Sequence, residues 1–336
     1  MTPNKVKQRN TYIELLRIIL MQFILWLHIW GHGTSNLSIF LIGSPHMAPF
    51  IVMLKLGVTG FIFITAWGGG NFYIKKVIHL LVISLFYSTS IYIIFWQHTE
   101  IYSIIKSFFP LNNQGWWYIQ CYLFLLMLLP FINYGWNKIS ESIKFFLFIL
   151  TFFYCYIDGF ISASNSIDLK YFICVYIISR YILQDKIQNF FRQKSEVYAI
   201  VSLLSLLLLA YIICKFFPNQ YLIKMIISNN NVLLLALIYF ITISISKHSL
   251  NSPFINKLAS GTLAAYLITE HNLIRTPLNA YLFNLSLYSI TLALLISSTI
   301  LISCILIEIT RTLLCKGIDI KITNQIEKLT NKIVNT

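Results

Sequence analysis

The chain has 336 residues, 57% of them hydrophobic and only 11% charged, with a mean hydropathy of +0.74. A soluble domain carries about 25% charged residues, so there is too little polar surface here to cover a water-exposed fold of this length. That excludes a soluble enzyme, a nucleic-acid-binding domain and a disordered chain, and the net charge of +14 needs another explanation.

A bilayer core about 30 Å thick takes roughly 20 apolar residues per helix. Stretches of 18 or more residues without Asp, Glu, Lys or Arg run over 18–54, 56–74, 77–99, 107–137, 197–214, 225–246 and 276–307. Shorter apolar stretches cover 145–157, bounded by Asp158, 171–183 with Arg180, and 258–274 with Glu270. Together they predict an all-α polytopic membrane protein of about ten transmembrane helices, near 12–30, 48–67, 77–96, 116–134, 144–161, 169–184, 197–217, 230–246, 259–275 and 288–310. Uninterrupted runs such as LLSLLLLAYII (203–213) exclude the alternating pattern of a β-barrel. The N-terminus resembles a signal peptide, with a basic tail before an apolar run. It lacks a small-x-small cleavage site, and Glu14 and Arg17 interrupt the apolar pattern, so an uncleaved first helix is expected.

With the N-terminus inside, 17 of the 25 Lys and Arg fall in cytoplasmic segments and five (Lys106, Lys170, Lys215, Lys224 and Arg275) on the outer side. The reverse orientation would invert that bias, so both termini are expected in the cytoplasm. The positive charge is then topology, with some attraction to anionic membrane lipid, and calls for no nucleic acid partner. The six cysteines lack CxxC spacing and read as packing groups. There is no internal repeat, no nucleotide-binding glycine loop and no room for a soluble domain. Residues 1–311 read as a single transmembrane domain. Residues 312–336 read as a cytoplasmic tail, with Ile318, Ile322, Ile326, Leu329 and Ile333 at the spacing of an amphipathic helix.

An ionisable side chain inside a span is costly unless it is paired or faces a polar cavity. In the first helix, YIELLRIILMQFILWLHIWGHG (12–33), Arg17 and His28 are eleven residues apart. That is about 20° from a whole number of turns and roughly 16 Å along the axis, so both project from one face. Glu14 can neutralise Arg17 as an i,i+3 pair. Arg17 is expected near the cytoplasmic mouth and His28 deep toward the outer side. On spacing alone, Arg17 snorkelling to lipid phosphates and His28 resting at the interface fit equally well.

The glycines at 68–70 permit a sharp turn, followed by Lys75, Lys76 and His79, which either hold a phosphate-bearing ligand or mark topology. In GWWYIQCYLFLLMLLPFIN (115–133), Trp116, Trp117 and Tyr118 read as an interfacial aromatic belt that could also stack on a sugar. In SGTLAAYLITEHNLIR (260–275), Tyr266 and Glu270 share a face, and Glu270 and His271 rise to the depth of His28. Glu270 can orient or charge a histidine as in a general-base pair, or tie helices together through Arg275 or Arg180. His28 and His32, at i and i+4, have metal-ligand spacing. The sequence places no third Cys, His or carboxylate beside them, so no metal is expected.

Taken in order, these segments resemble the membrane acyltransferase 3 family, which O-acylates surface carbohydrates. The resemblance runs from ELLR (14–17) and the His28 that follows Arg17 after ten residues, through GVTGFIFITAW (57–67), GWWYIQCYLFLLMLLPFIN (115–133) and YFICVYIISRYIL (171–183), to YLITEHNLIR (266–275). It departs at Thr65-Ala66, where members commonly have Ser-Gly. It departs again at Thr269, where they often have His, and at Lys75-Lys76, where arginines are usual. A lysine lacks the bidentate fork for phosphate.

The resemblance implies a multi-pass protein of the bacterial cytoplasmic membrane and an acyl-CoA donor, most often acetyl-CoA, with no permanently bound cofactor. The acceptor it implies is a hydroxyl of a surface polysaccharide or lipid-linked sugar. Donor phosphates would lie near Arg17, Lys75 and Lys76, and the acceptor near Trp116, Trp117, Tyr118 and Tyr266. His28, Glu270 and His271 would be catalytic, with His28 taking either the acceptor's proton or the acyl group itself. A transporter or flippase of a lipid-linked sugar is the alternative, although the inverted repeats common in transporters are not found in the sequence.

Overall fold

The computed structural model describes residues 10–70, 72–96, 102, 105, 108–109, 116–158, 161–162 and 168–334. Lys5, Lys7, Arg9 and Lys106 of the charge argument lie outside the described residues. Among the described residues there is no strand, as the uninterrupted apolar runs predict. The helices are α1 (Thr11–Gly33), α2 (Leu37–Gly43), α3 (Ala48–Leu54), α4 (Leu56–Trp67), α5 (Ile74–Ile94), α6 (Trp117–Lys138), α7 (Glu141–Phe152) and α8 (Leu169–Ile182). They continue with α9 (Asp185–Arg192), α10 (Ser195–Phe216), α11 (Gln220–Ile226), α12 (Val232–Ser246) and α13 (Pro253–Ser260). The last three are α14 (Thr262–Thr269), α15 (Asn272–Tyr288) and α16 (Ile290–Val334).

Side-chain caps set many of the starts. Asn10 accepts from the Tyr12 amide at 3.0 Å, Asp168 from the Tyr171 amide at 3.0 Å and Asn231 from the Leu233 amide at 3.0 Å. Each satisfies a donor that the first helical turn leaves unpaired, a need that is sharper where lipid offers no water.

Among the described residues, six helical segments are long and apolar enough to cross a membrane: Thr11–Gly33, Pro45–Trp67, Ile74–Ile94, Trp117–Lys138, Ser195–Phe216 and Ile290–Cys315. The other expected spans coincide with shorter or interrupted helices. α7 passes into a π-helical stretch at Phe153–Asp158, α8 has 14 residues, and α12 has 15. Large apolar side chains lie open on the perimeter, including Val197, Ile200, Val201, Leu204 and Leu208 along one side of α10. Water would penalise such a stripe, and lipid tails suit it.

α1 is the centre of the bundle and packs against α3, α4, α13, α14, α15 and α16. Two glycines let α4 come close. A Cβ at Gly60 would stand 2.6 Å from Leu20 Cδ1, and one at Gly57 would stand 2.5 Å from Ile24 Cγ1. Small residues at a helix interface let membrane helices approach closely.

One of the expected spans is broken and another is irregular. The segment over 48–67 stays one helical run, with a single turn residue at Lys55 (φ −61°, ψ −16°) between α3 and α4. The segment over 259–275 is not one helix: it pauses at Gly261, and α14 ends at Thr269. Glu270 caps that end, and His271, with φ −66° and ψ 136°, starts α15. Non-helical backbone at membrane depth is tolerated where protein covers it, and both residues are essentially fully buried. The expected tail has no break before it, because α16 runs on through residue 311 to Val334. The side chains of Ile318, Ile322, Leu329 and Ile333 lie outside the described residues.

Candidate active site

The face of α1 that carries Arg17 and His28 borders a cavity of about 180 Å³. Its lining includes Arg17, Met21, Ile24 and His28 from α1, Phe61 and Thr65 from α4, and Lys76 and Leu80 from α5. α6 adds Trp117, Tyr118, Ile119 and Tyr122, and the α13–α14 segment adds Ser260, Thr262, Leu263 and Tyr266. Two cations at one end and an imidazole at the other therefore share one space, in the order that the eleven-residue spacing predicts.

The cationic end is held by local pairs. Arg17 Nη1 lies 3.4 Å from Glu14 Oε2, the expected i,i+3 contact. Its Nε is buried without a hydrogen-bond partner. Lys76 Nζ donates to the Tyr122 hydroxyl at 2.9 Å. The turn that delivers Lys76 uses Gly69 at φ 84° and Gly70 at φ 57°, the left-handed region that glycine enters without strain. Asn133 Nδ2 donates to the Gly70 carbonyl at 3.0 Å, and the Tyr176 hydroxyl donates to Asn133 Oδ1 at 2.8 Å, so the turn is fixed from α6 and α8. Lys75 is exposed and does not line the cavity. Of the two departures at 65–66, Thr65 lines the cavity and donates its hydroxyl back to the Phe61 carbonyl at 3.0 Å, while Ala66 is buried.

At the other end, Glu270 stands between two imidazoles. Its Oε1 is 2.9 Å from His28 Nδ1 and its Oε2 is 3.3 Å from His32 Nε2. The carboxylate is 1% exposed and His28 is 16% exposed, whereas His32 keeps 35% of its side chain open. Glu270 thus meets histidines, not the Arg275 or Arg180 of the helix-tying alternative. The expectation that nothing completes the His28–His32 pair is corrected as well, because the helix break at Glu270–His271 turns the carboxylate toward α1. His32 is the residue whose place the sequence reading missed. Its i+4 spacing was the available signal, but a continuous helix over 259–275 hid the carboxylate.

His271 is drawn into a different environment. Its Nδ1 accepts from the Leu273 amide at 3.3 Å, which caps α15, and its ring packs against Tyr92 and Trp116 with centroids 4.8 and 5.8 Å away. It is fully buried, its Nε2 has no hydrogen-bond partner, and it does not line the cavity. Trp116 is also fully buried and donates Nε1 to the Leu267 carbonyl at 3.1 Å, so it supports α14 from within instead of standing in an interfacial belt. Trp117, Tyr118 and Tyr266 do line the cavity. The Tyr118 amide donates to the Tyr266 hydroxyl at 3.3 Å, and the Tyr118 ring stacks on Tyr122 at 6.0 Å. Tyr122, one turn after Tyr118, is a further lining residue, and its i+4 position puts both on one face.

A multi-pass helical bundle with a buried carboxylate–histidine centre at one end of an internal cavity, and cations at the other, defines a membrane protein equipped for acid–base or transfer chemistry. The match to a family model is more specific. Residues 10–308 match the acyltransferase domain of the acyltransferase 3 family, and the chain belongs to that family. No curated protein and no solved structure matches it.

Proposed function

We propose that this acyltransferase works on oxygen. It moves an acyl group, acetyl in the simplest case, from acyl-CoA to a hydroxyl of a surface polysaccharide or lipid-linked sugar in the bacterial cytoplasmic membrane. The observation that carries the reading is the single cavity joining Arg17 and Lys76 to His28, with Glu270 against the far nitrogen of that imidazole. The donor's phosphates sit at the cationic end, where Arg17 contributes the fork geometry that Lys76 lacks. The pantetheine arm runs along α1 and brings the thioester to His28. Trp117, Tyr118 and Tyr266 flank the acceptor.

In this reading His28 is a general base. Nδ1 faces Glu270, so Nε2 takes the proton of the acceptor hydroxyl as its oxygen attacks the thioester carbonyl. The imidazolium that forms is stabilised by the Glu270 carboxylate, as in other carboxylate–histidine pairs. Collapse of the tetrahedral intermediate breaks the C–S bond, and the imidazolium returns the proton to the departing CoA thiolate. The products are the ester and free CoA thiol. His271 is given a structural role, as the cap of α15.

The test compares cells lacking the protein with cells carrying wild type or His28→Ala at equal membrane levels. Loss of glycan-bound ester in both the null and His28→Ala, with glycan export intact, is the expected result. Lost export with ester content intact would overturn the reading in favour of the transporter alternative.

A further inference from the structure

His28 and His32 stand one turn apart on α1, with ring centroids 4.7 Å apart, and Glu270 reaches both from the broken α14–α15 segment. One ligand atom from each of the three lies within 4.8 Å of the other two. Among the described residues no other group of three or more His, Cys, Asp or Glu side chains converges in this way. The two short approaches use different oxygens of Glu270, Oε1 2.9 Å from His28 and Oε2 3.3 Å from His32. A tetrahedral site with bonds of about 2.0–2.1 Å sets ligand atoms roughly 3.3 Å apart, so the trio closes on an ion by side-chain rotation from its spread of up to 4.8 Å.

A second feature separates this trio from an ordinary ion pair. His28 Nδ1 and Glu270 Oε1 are buried and 2.9 Å apart, yet neither has an aligned hydrogen-bond partner. Two buried polar atoms this close, without an aligned hydrogen bond between them, keep lone pairs that a shared cation could take. The donor set is two imidazole nitrogens and one carboxylate, the chemistry of zinc sites that keep a fourth position open. His32, with 35% of its side chain exposed, gives that position a path to solvent.

We propose that His28, His32 and Glu270 bind one divalent transition-metal ion, zinc by ligand type, and that its binding switches off acyl transfer. The binding half stands on the geometry alone; the inhibitory half rests on the role given to His28 above. A neutral imidazole has one lone pair on nitrogen and one N–H. When Nδ1 gives its lone pair to the metal, the proton must reside on Nε2. Nε2 then has no lone pair for the acceptor's proton, and the Glu270 charge that would stabilise an imidazolium is spent on the metal. The ion is therefore a reversible inhibitor of this site.

The experiment uses the full chain in nanodiscs, purified without a histidine tag, stripped with EDTA and titrated with zinc chloride. Bound metal is read by elemental analysis and affinity by calorimetry, with no acyl donor present. Wild type is expected to take up one tight zinc per chain with a rise in melting temperature. His32→Gln should lose roughly 100-fold or more in affinity, beyond the 10–100-fold typical of losing a residue that only supports a ligand. His32→Asp, which keeps an oxygen ligand, should retain more of it. No stoichiometric uptake by wild type, or equal affinity in His32→Gln, would overturn the site. With acetyl-CoA and acceptor added, zinc should inhibit wild type and EDTA should restore it. Zinc uptake with undiminished transfer would overturn the inhibitory half. Zinc uptake by a protein that transfers no acyl group at any zinc level would uphold the site and overturn the proposed function.

Discussion

Glu270 Oε1 lies 2.9 Å from His28 Nδ1, although the two residues are 242 positions apart in the chain. The contact exists because α14 stops one residue before the carboxylate. With the helix broken there, Glu270 turns into α1 while Trp116, anchored on the Leu267 carbonyl, holds the end of α14 in place. A buried carboxylate is costly to keep charged unless partners compensate it, and the two imidazoles are those partners.

Glu270→Gln keeps the shape of this centre and removes its charge. Transfer should fall about 100- to 1,000-fold, within the range that general acid–base groups contribute. The donor KM should move little, since Glu270 does not border the cationic end. The check is kcat and KM for acetyl-CoA in nanodiscs, with folding verified by thermal melting. A variant within about threefold of wild type would show that His28 works without the carboxylate.

Arg17 acts at the other end of the cavity and predicts the opposite split. Losing a charge-assisted contact to phosphate costs about 1.5–3 kcal/mol, so Arg17→Gln should raise the donor KM roughly 10- to 100-fold with a smaller change in kcat. Because Arg17 also neutralises the buried Glu14 at 3.4 Å, the double variant Glu14→Gln/Arg17→Gln separates the two roles. It should melt nearer to wild type than Arg17→Gln while keeping the raised KM. An unchanged dependence on acetyl-CoA concentration would remove Arg17 from the donor site.

The approach of α4 to α1 is testable without any activity. Gly60→Ala puts a methyl against the Leu20 side chain, whose Cδ1 and Cδ2 would be 2.6 and 2.7 Å away. Overpacking of this kind costs about 1–3 kcal/mol, and Leu20→Ala alone should cost about 2–5 kcal/mol as a cavity. The double variant should lose clearly less than the sum, measured by denaturation in one detergent. Strict additivity would mean that the two side chains do not meet.

Much of this was legible in the sequence. The Arg17–His28 face follows from helix periodicity, the Glu14–Arg17 pair from i,i+3 spacing, and the turn before α5 from three consecutive glycines. Apolar windows located the long helices of the bundle, while α2, α9, α11 and most of α15 fall outside every expected span. What the windows conceal is where a helix breaks, because apolarity reports the solvent around a segment and carries no information about backbone continuity. The irregular turns at Lys55 and Gly261 and the break at Glu270–His271 are held by neighbouring helices. For that reason the meeting of Glu270 with His32, and the departure of His271 and Trp116 into the core, were not readable from spacing. Counting charges likewise does not show burial: Arg311, placed in the cytoplasmic segment by the charge bias, is 4% exposed.

Arg311 supports the last prediction. Its Nε and Nη2 donate to Glu308 Oε2 and Oε1, both at 2.9 Å, and its Nη1 donates to Asp319 Oδ2 at 3.0 Å. The Tyr87 hydroxyl of α5 donates to the same Glu308 Oε2 at 2.7 Å, so the network fastens α5 to α16. Removing one member of a buried pair strands the other, at about 3–5 kcal/mol, whereas replacing both charges by apolar groups is often neutral or stabilising. Glu308→Ala should therefore lower the melting temperature, and Glu308→Leu/Arg311→Met should recover part of the loss, since Asp319 then loses its Arg311 partner. α5 also carries Lys76, so loosening this clasp should raise the donor KM in Glu308→Ala more than in the double variant. Equal melting temperatures for Glu308→Ala and the double variant would show that Asp319 alone satisfies the guanidinium, and that the clasp contributes little to holding α5.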